Sequence, residues 1–298
     1  MVIKMKKILV TGGSGFIGSK LVPYLCSKGY RVETPNSKEL NVLHQADWTR
    51  WEKQDISHVI HLAGRTFVPV SWEHPEEYFT INIAGTLQAL QFCWKQGVSM
   101  TYISAYIYGQ PKRNPISESD RIQPNNPYAV SKYLAEQICA FYGEYFHVNT
   151  TVLRLFNVYG YGQSESFLIP SIIKQALNSG KEITVSDLEP KRDYVHIDDV
   201  CNVIELTIRN TNGYHVFNVG SGRSYSVREI IEKVQEMAQT KKAVLSKQQA
   251  RRNELSNVVA NIDSIKELWG WVPQVSIESG LQRYIEEEMQ HGRKSANQ

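Results

Sequence analysis

The chain lacks any paired cysteine motif, any excess of one charge and any long apolar run. Its four cysteines, Cys26, Cys93, Cys139 and Cys201, are far apart and form no C-x-x-C pair. Such spacing argues against a zinc site or disulfide framework and for reduced, buried thiols in a cytosolic protein. A net charge of +3 is close to neutral for 298 residues, so composition makes no case for a nucleic-acid partner. Basic residues are scattered, apart from short runs such as Lys241-Lys242 and Arg251-Arg252. No apolar run approaches membrane-spanning length. The opening MVIKMKKILV imitates a signal peptide but enters TGGSGFIG after too few apolar residues. The expectation is a soluble cytoplasmic protein with no nucleic-acid and no membrane partner.

What is present is alternation. KKILVTGG reads as a buried strand and FIGSKLVPYLCSKG as a helix closed by Gly29. YRVETPN and SHVIHLAG read as strands, EEYFTINIAGTLQALQFCWKQG as one long helix, and SMTYISAY as the next strand. PYAVSKYLAEQICAFYGEYF is again helical, and VNTTVLRLFNVYG a further strand. Repeated βα alternation predicts an α/β fold: a Rossmann-type doubly wound parallel sheet with helices on both faces. After about Gly160 the pattern is less regular. FLIPSIIKQALNSG is a helix, VSDLEPKRDYVHIDDV a loop leading into a helix, and HVFNVGSG a short strand. This predicts a dinucleotide-binding domain over 1–158, with returns near 193–219. A smaller C-terminal substrate lobe takes 159–192 and 220–290, and the polar residues 291–298 form a tail.

The segment VTGGSGFIG joins the first strand to the first helix, with Gly12, Gly15 and Gly18 spaced G-x-x-G-x-x-G. Glycines there permit a tight turn, close approach of a pyrophosphate and close helix–sheet packing. The predicted cofactor contacts are Gly12, Ser14, Gly15, Phe16, Ile17 and Gly18, joined by Leu62, Ala63 and Gly64 after the third strand. NAD-binding folds place an acid about 20 residues on, at the end of the second strand, to hold the ribose 2′-hydroxyl. Here the position falls on Asn36, followed by Ser37 and Lys38. An amide, a hydroxyl and an ammonium suit a 2′-phosphate, so NADP is expected, with NAD as the alternative.

YAVSK places Tyr128 and Lys132 four residues apart, on one helix face. An ammonium there can lower the phenol pKa and make the tyrosine a usable acid or base. Spacing alone is weak: YLCSK repeats it at Tyr24 and Lys28, where a packing tyrosine and a solvated lysine suffice. Tyr128 differs in following Pro127, which suits a helix start. TYISAYIYG also supplies Ser104 at the end of the preceding strand, where doubly wound sheets place ligands. Tyr102 and Tyr108 read as packing, since neither has a paired lysine.

TGGSGFIG, HLAG, ISAYIYG, PYAVSK, RLFNVYG and KRDYVHIDDV, in that order, resemble the extended short-chain dehydrogenases/reductases, in the NAD(P)-dependent epimerase/dehydratase group that modifies nucleotide sugars. The resemblance covers Lys7 to Ile285. It implies a catalytic triad of Ser104, Tyr128 and Lys132, in which the tyrosine exchanges a proton with the sugar oxygen. The lysine would lower its pKa and bind the nicotinamide ribose, and the serine would hydrogen-bond the reacting oxygen. It also implies that Asn82 supports the active-site backbone, and that Asn157, Arg192 and Arg251 contact a nucleotide diphosphate, with Tyr106 beside the substrate. The competing reading for Arg192 is a salt bridge with Asp193 or Asp198, and for Arg251 a solvated charge. No metal is implied.

In that group, dehydratases resemble one another in an Asp-Glu pair after the active-site hydroxyl, and decarboxylases in a Glu. Ala105 and Tyr106 stand there instead and cannot move protons at neutral pH. SKELNV and FVPVSWEHPEEYFTINIAGTL look like the matching segments of NADP-dependent reductases of 4-keto-6-deoxy sugar nucleotides. The expected function is NADPH-dependent reduction of the C4 ketone of a nucleotide-linked 4-keto-6-deoxyhexose, forming a deoxysugar nucleotide for surface polysaccharide. The alternative is an NAD-dependent C4 epimerase. A third possibility, a silent dinucleotide sensor, is opposed by the intact triad. Relatives often form homodimers through the two long helices, so a homodimer is expected.

Overall fold

The structure, a computed structural model, describes residues 6–249 and 253–296. Its strands are β1 (Lys7–Thr11), β2 (Arg31–Glu33), β3 (Ile56–His61), β4 (Ser99–Ala105), β5 (Thr150–Leu155), β6 (Asn157–Tyr159), β7 (Glu182–Val185), β8 (Lys191–His196), β9 (Tyr214–Val219), β10 (Ser224–Ser226), β11 (Ala243–Ser246) and β12 (Asn257–Val258). Its helices are α1 (Phe16–Ser27), α2 (Gln45–Trp48), α3 (Val68–Ser71), α4 (Pro75–Phe79), α5 (Gly85–Gln96), α6 (Pro127–Phe146), α7 (Leu168–Leu177), α8 (Ile197–Arg209), α9 (Val227–Met237), α10 (Asp263–Trp269) and α11 (Ile277–Ala296).

Six strands form one parallel sheet in the order β2-β1-β3-β4-β5-β9. Strand order reverses between β1 and β3, which opens a crevice beyond their C-terminal ends. Leu21 and Leu25 of α1, with Val200, Val203 and Ile204 of α8, cover one face over Ile8, Val10 and Leu153. Leu90 and Phe92 of α5, with Ala135 and Cys139 of α6, cover the other over Leu9, Val59 and Val152. Each fully buried Leu or Ile side chain contributes about 2 kcal/mol, so two apolar layers hold the sheet. This is the doubly wound sheet that the βα alternation predicts.

The polar side chains of the buried strands are paired within the core. His58 accepts or donates through Nδ1 at Ser99 Oγ (2.6 Å) and through Nε2 at Thr101 Oγ1 (2.7 Å). Burial pushes His58 down to about 3, so its ring is neutral. Ser104, Arg154 and Asn218 lie in one row across β4, β5 and β9. Arg154 donates from Nε to both oxygens of Glu136 on α6 (3.1 Å each) and from Nη2 to Oε2 (2.7 Å). Its Nη1 donates to the Tyr108 hydroxyl (2.8 Å), which donates to Asn218 Oδ1 (2.6 Å).

Several elements depart from the sequence reading. Residues 191–196 form β8 rather than a loop, with β10 and β12 flanking its first half and β6 its second. The charge that makes this stretch read as loop, Asp193, is fully buried and accepts from Ser221 N and Oγ, Gly222 N and Ala260 N. The run over 150–159 divides at Phe156: β5 stays in the main sheet and β6 pairs with β8. The long helix after HLAG is α4, a π-helical segment Thr80–Ala84, then α5. Helix α11 runs on to Ala296 through residues read as tail. Of the cysteines, Cys93, Cys139 and Cys201 are buried and all are free, but Cys26 is exposed on α1. α7, α9 and α11 share a third apolar cluster with β7 and β8, through Ile172, Ile230, Leu281, Ile183 and Tyr194. Among the described residues no helix is long and apolar enough to cross a membrane.

Arg154 is 4% exposed and Glu136 1%. Arg154→Met leaves a buried carboxylate without its cation, and is expected to cost about 3–5 kcal/mol in urea denaturation. Adding Glu136→Leu to it is expected to recover most of that loss; a single variant as stable as the parent refutes the assignment.

Candidate active site

The glycine loop is built by steric need. Gly12 has φ +71° and follows β1 directly. A Cβ there would lie 2.7 Å from Ala63 N, so residues 62–64 after β3 approach the loop as closely as backbones allow. A Cβ on Gly18 would strike the Gly13 Cα and carbonyl at 2.5 Å. Gly13, not singled out in the motif reading, has its Cβ direction filled by the Thr34 side chain just beyond β2. Gly15 caps α1 without a side-chain bond, and no acid stands in the first turn. That helix start, with Ser14 exposed and Phe16 and Ile17 partly buried beside it, is electrostatically open to an anion. The residues present therefore fit a dinucleotide.

At the end of β2, Asn36, Ser37 and Lys38 are exposed. Asn36 Oδ1 accepts from Lys38 N (2.9 Å) and Glu39 N (3.2 Å). Glu39, which the sequence reading passed over, accepts from Asn36 N (2.9 Å) through Oε2. That carboxylate is thus bound back onto its own turn.

Two further residues missed in sequence tie β1 to the loop after β3. The Thr11 hydroxyl bonds His61 Nδ1 (2.8 Å) and accepts from Ala63 N (3.3 Å). Burial, then Lys132, pushes His61 down to about 3. Asn82, in the π-helical segment, accepts from Arg65 N (2.8 Å) and donates to Arg65 O (3.1 Å) and Ser131 Oγ (2.8 Å). It clamps the loop after β3 against α6, as its expected supporting role requires. A Cβ on Gly64 would fall 2.7 Å from Asn82 Oδ1 and 3.5 Å from Lys132 Nζ, so the loop and the lysine share one place.

Asn126 caps α6 by accepting from Ala129 N (2.9 Å), and Pro127 opens its first turn. This sets Tyr128 and Lys132 above the end of β4. Ser104 is 2% exposed, and its Oγ has no hydrogen-bond partner among the described residues. Lys132, 4% exposed, donates to the Ile103 carbonyl (2.8 Å), and burial lowers it to about 8. The Tyr128 ring meets Tyr78 edge-on (6.3 Å), and Tyr78 donates to Phe67 O (2.6 Å). The lysine was expected to lower the Tyr128 pKa. Instead burial raises it, followed by the phenols of Tyr106 and Tyr78. The second Tyr-x-x-x-Lys pair is the plain case: exposed Lys28 stacks over the Tyr24 ring (5.3 Å).

Tyr106 packs on Phe156 (5.5 Å) at the rim beside Tyr128. Asn157 donates to Asp193 O (3.2 Å). Arg192 is held by Glu254, by Leu255 O (2.6 Å) and by Lys191 O (2.8 Å). Its salt-bridge partner is therefore neither Asp193 nor Asp198; Asp198 pairs with Arg283 (3.2 Å). Arg251 lies outside the described residues. Among the described residues no group of three or more His, Cys, Asp or Glu side chains is placed to hold a metal.

Known proteins resemble this chain in sequence and fold. The chain is 32% identical to GDP-6-deoxy-D-mannose reductase of Pseudomonas aeruginosa, over 94% of this chain and 96% of that protein. It superposes with a TM-score of 0.88 on RMD from Pseudomonas aeruginosa complexed with NADPH, at 30% identity, over 96% of this chain and 100% of that one. UDP-glucose 4-epimerase of Thermus thermophilus in complex with NAD superposes at 0.85 and 27% identity, over 94% and 98%. A family model matches residues 8–220, more than half of the chain: the chain belongs to the NAD dependent epimerase/dehydratase family.

Proposed function

We propose that this protein is an NADPH-dependent reductase of the C4 ketone of a nucleotide-linked 4-keto-6-deoxyhexose. The observation that carries the reading is the end of β4. Ser104 presents a buried hydroxyl beside α6 with no partner among the described residues, and the next two residues, Ala105 and Tyr106, carry no carboxylate. Elimination or decarboxylation needs such a group; reduction of a ketone does not.

The loop Gly12–Gly18 would hold the pyrophosphate, Ser37 and Lys38 the 2′-phosphate, and Lys132 the nicotinamide ribose. When bound, the nicotinamide supplies hydride to C4. Ser104 donates a hydrogen bond to the ketone oxygen and fixes it. Tyr128 gives that oxygen its proton, and its raised pKa suits this, because the phenol stays protonated at neutral pH. Asn157 and Arg192 would meet the substrate diphosphate, with Glu254 orienting the guanidinium. The second reading, an NAD-dependent C4 epimerase, is supported by the likeness to UDP-glucose 4-epimerases. A homodimer is part of the proposal: Trp94 on α5 and Leu134, Phe141 and Tyr145 on α6 are exposed apolar side chains.

Mixed with NADPH and a panel of UDP-, GDP-, dTDP- and CDP-4-keto-6-deoxysugars, the protein is expected to consume NADPH with one nucleotide class. NAD copurifying with it, with no NADPH consumed, establishes the epimerase instead. Tyr128→Phe is expected to lower kcat by about 10²–10⁴-fold; unchanged turnover removes Tyr128 from the mechanism. Lys132→Met should abolish turnover without loss of stability. An ammonium lowered from 10.5 to about 8 destabilises the fold fully below about pH 8, and less as pH rises toward 10.5. The neutral variant is therefore expected to melt at or above the parent temperature at pH 7, and a large drop contradicts the pKa direction. Sedimentation should give a dimer that Phe141→Glu converts to monomer.

A further inference from the structure

Lys132 presents a physical problem that Tyr128 and Ser104 do not solve. Its ammonium sits in a dry site, and the carboxylate one helical turn on, Glu136, gives both its oxygens to Arg154. One oxygen, that of Ile103, accepts from Nζ. Below the ammonium lies the ring of Tyr102, with its centroid 4.9 Å from Nζ. That ring is buried. It is backed by His61, its register partner on β3, whose ring stacks on it at 6.1 Å and 24°.

We infer that Tyr102 is a positioning residue for Lys132: the face of its ring is the counter-charge that seats the buried ammonium at the end of β4. A ring quadrupole attracts a cation within about 6 Å of its centroid, and more strongly where water is excluded. The residue read from sequence as packing for want of a paired lysine thus has one, supplied from α6, 30 residues away in sequence by the difference of 132 and 102. Other groups around the ammonium set the background. Glu136 and Cys139 on α6 favour the charged form, and neutral His61 stands across β3. Tyr128 lies on the preceding turn of α6, Ser104 two residues along β4, and Arg154 on β5 is matched to Glu136. Burial outweighs these influences, and the ring face adds to them where water is excluded.

The inference rests on the reading that Lys132 serves the reaction, but its test does not need a substrate. In full-length protein labelled with ¹³C-lysine, the Lys132 Cε signal is identified by its loss in Lys132→Met and titrated by NMR. Tyr102→Phe keeps the ring and is expected to titrate with the parent. Tyr102→Leu removes the π face and is expected to lower the Lys132 pKa by about one unit, a tenfold easier proton loss. Pentafluorophenylalanine at position 102 keeps the shape and inverts the ring's charge distribution, so it must shift the titration the same way even if the Leu variant fails to fold. Parent-like titration of both the Leu and the fluorinated variants, or a Phe variant shifted as far as Leu, overturns the seat. The alkaline limb of NADPH-dependent turnover should move with the titration. A titration that moves while that limb does not upholds the seat and removes Lys132 from the reaction.

Discussion

The ion pair between Arg154 on β5 and Glu136 on α6 is the contact on which the site depends. Two charges buried this deeply are tolerable only when each satisfies the other, and the three hydrogen bonds between them leave α6 little freedom to slide on the sheet. Tyr128 and Lys132 ride on that helix, and Ser104 is the register neighbour of Arg154. Fixing the helix therefore fixes all three. Through Tyr108, Asn218 and Glu118 the same network reaches the segment between β4 and α6: Asn218 N donates to Glu118 (2.7 Å) and Asn218 Nδ2 to Ile116 O (2.9 Å). The wall of the crevice and its floor are thus parts of one hydrogen-bonded unit.

Around that unit the site is arranged by exclusion of water. Ser104 Oγ and Lys132 Nζ lie in places where an unpaired polar group is expensive, which is a condition suited to ligand binding and poor for stability. In direct contact the ammonium has a carbonyl and an aromatic face, while the Glu136 carboxylate acts on it from one helical turn away. A carboxylate in direct contact would hold it more firmly, but would also stand as a competing proton acceptor next to Tyr128. The phenol's raised pKa belongs to the same dryness, and with it the protonated form that the proposed ketone reduction requires.

Much of the architecture was legible because the sheet is covered on both faces. Apolar runs such as KILVT and the helical segments between them report their burial directly, and α6 begins and ends at Pro127 and Phe146 as its periodicity predicts. Among the elements that were missed are short strands outside this sheet. β8 carries Lys191, Arg192 and Asp193 in a row, and a buried aspartate looks like a solvated one until the four groups donating to it are known. The π-helical segment is invisible for a related reason: it has a helical pattern, and only the demand that Asn82 reach Arg65 and Ser131 distinguishes it.

The sequence by itself determined the glycine loop, the serine at the end of β4, the Tyr128–Lys132 spacing and the lack of an acid at 105 and 106. Each of these is local: a turn, a strand end, one face of one helix, a residue type. Tertiary structure alone decided what surrounds them. It turned Glu39 back onto Asn36, gave Arg192 to Glu254 and placed Lys132 over Tyr102. It also made burial, rather than the neighbouring ammonium, the main influence on Tyr128. These outcomes depend on distances between residues remote along the chain and on the water removed between them, and neither quantity is written in a spacing.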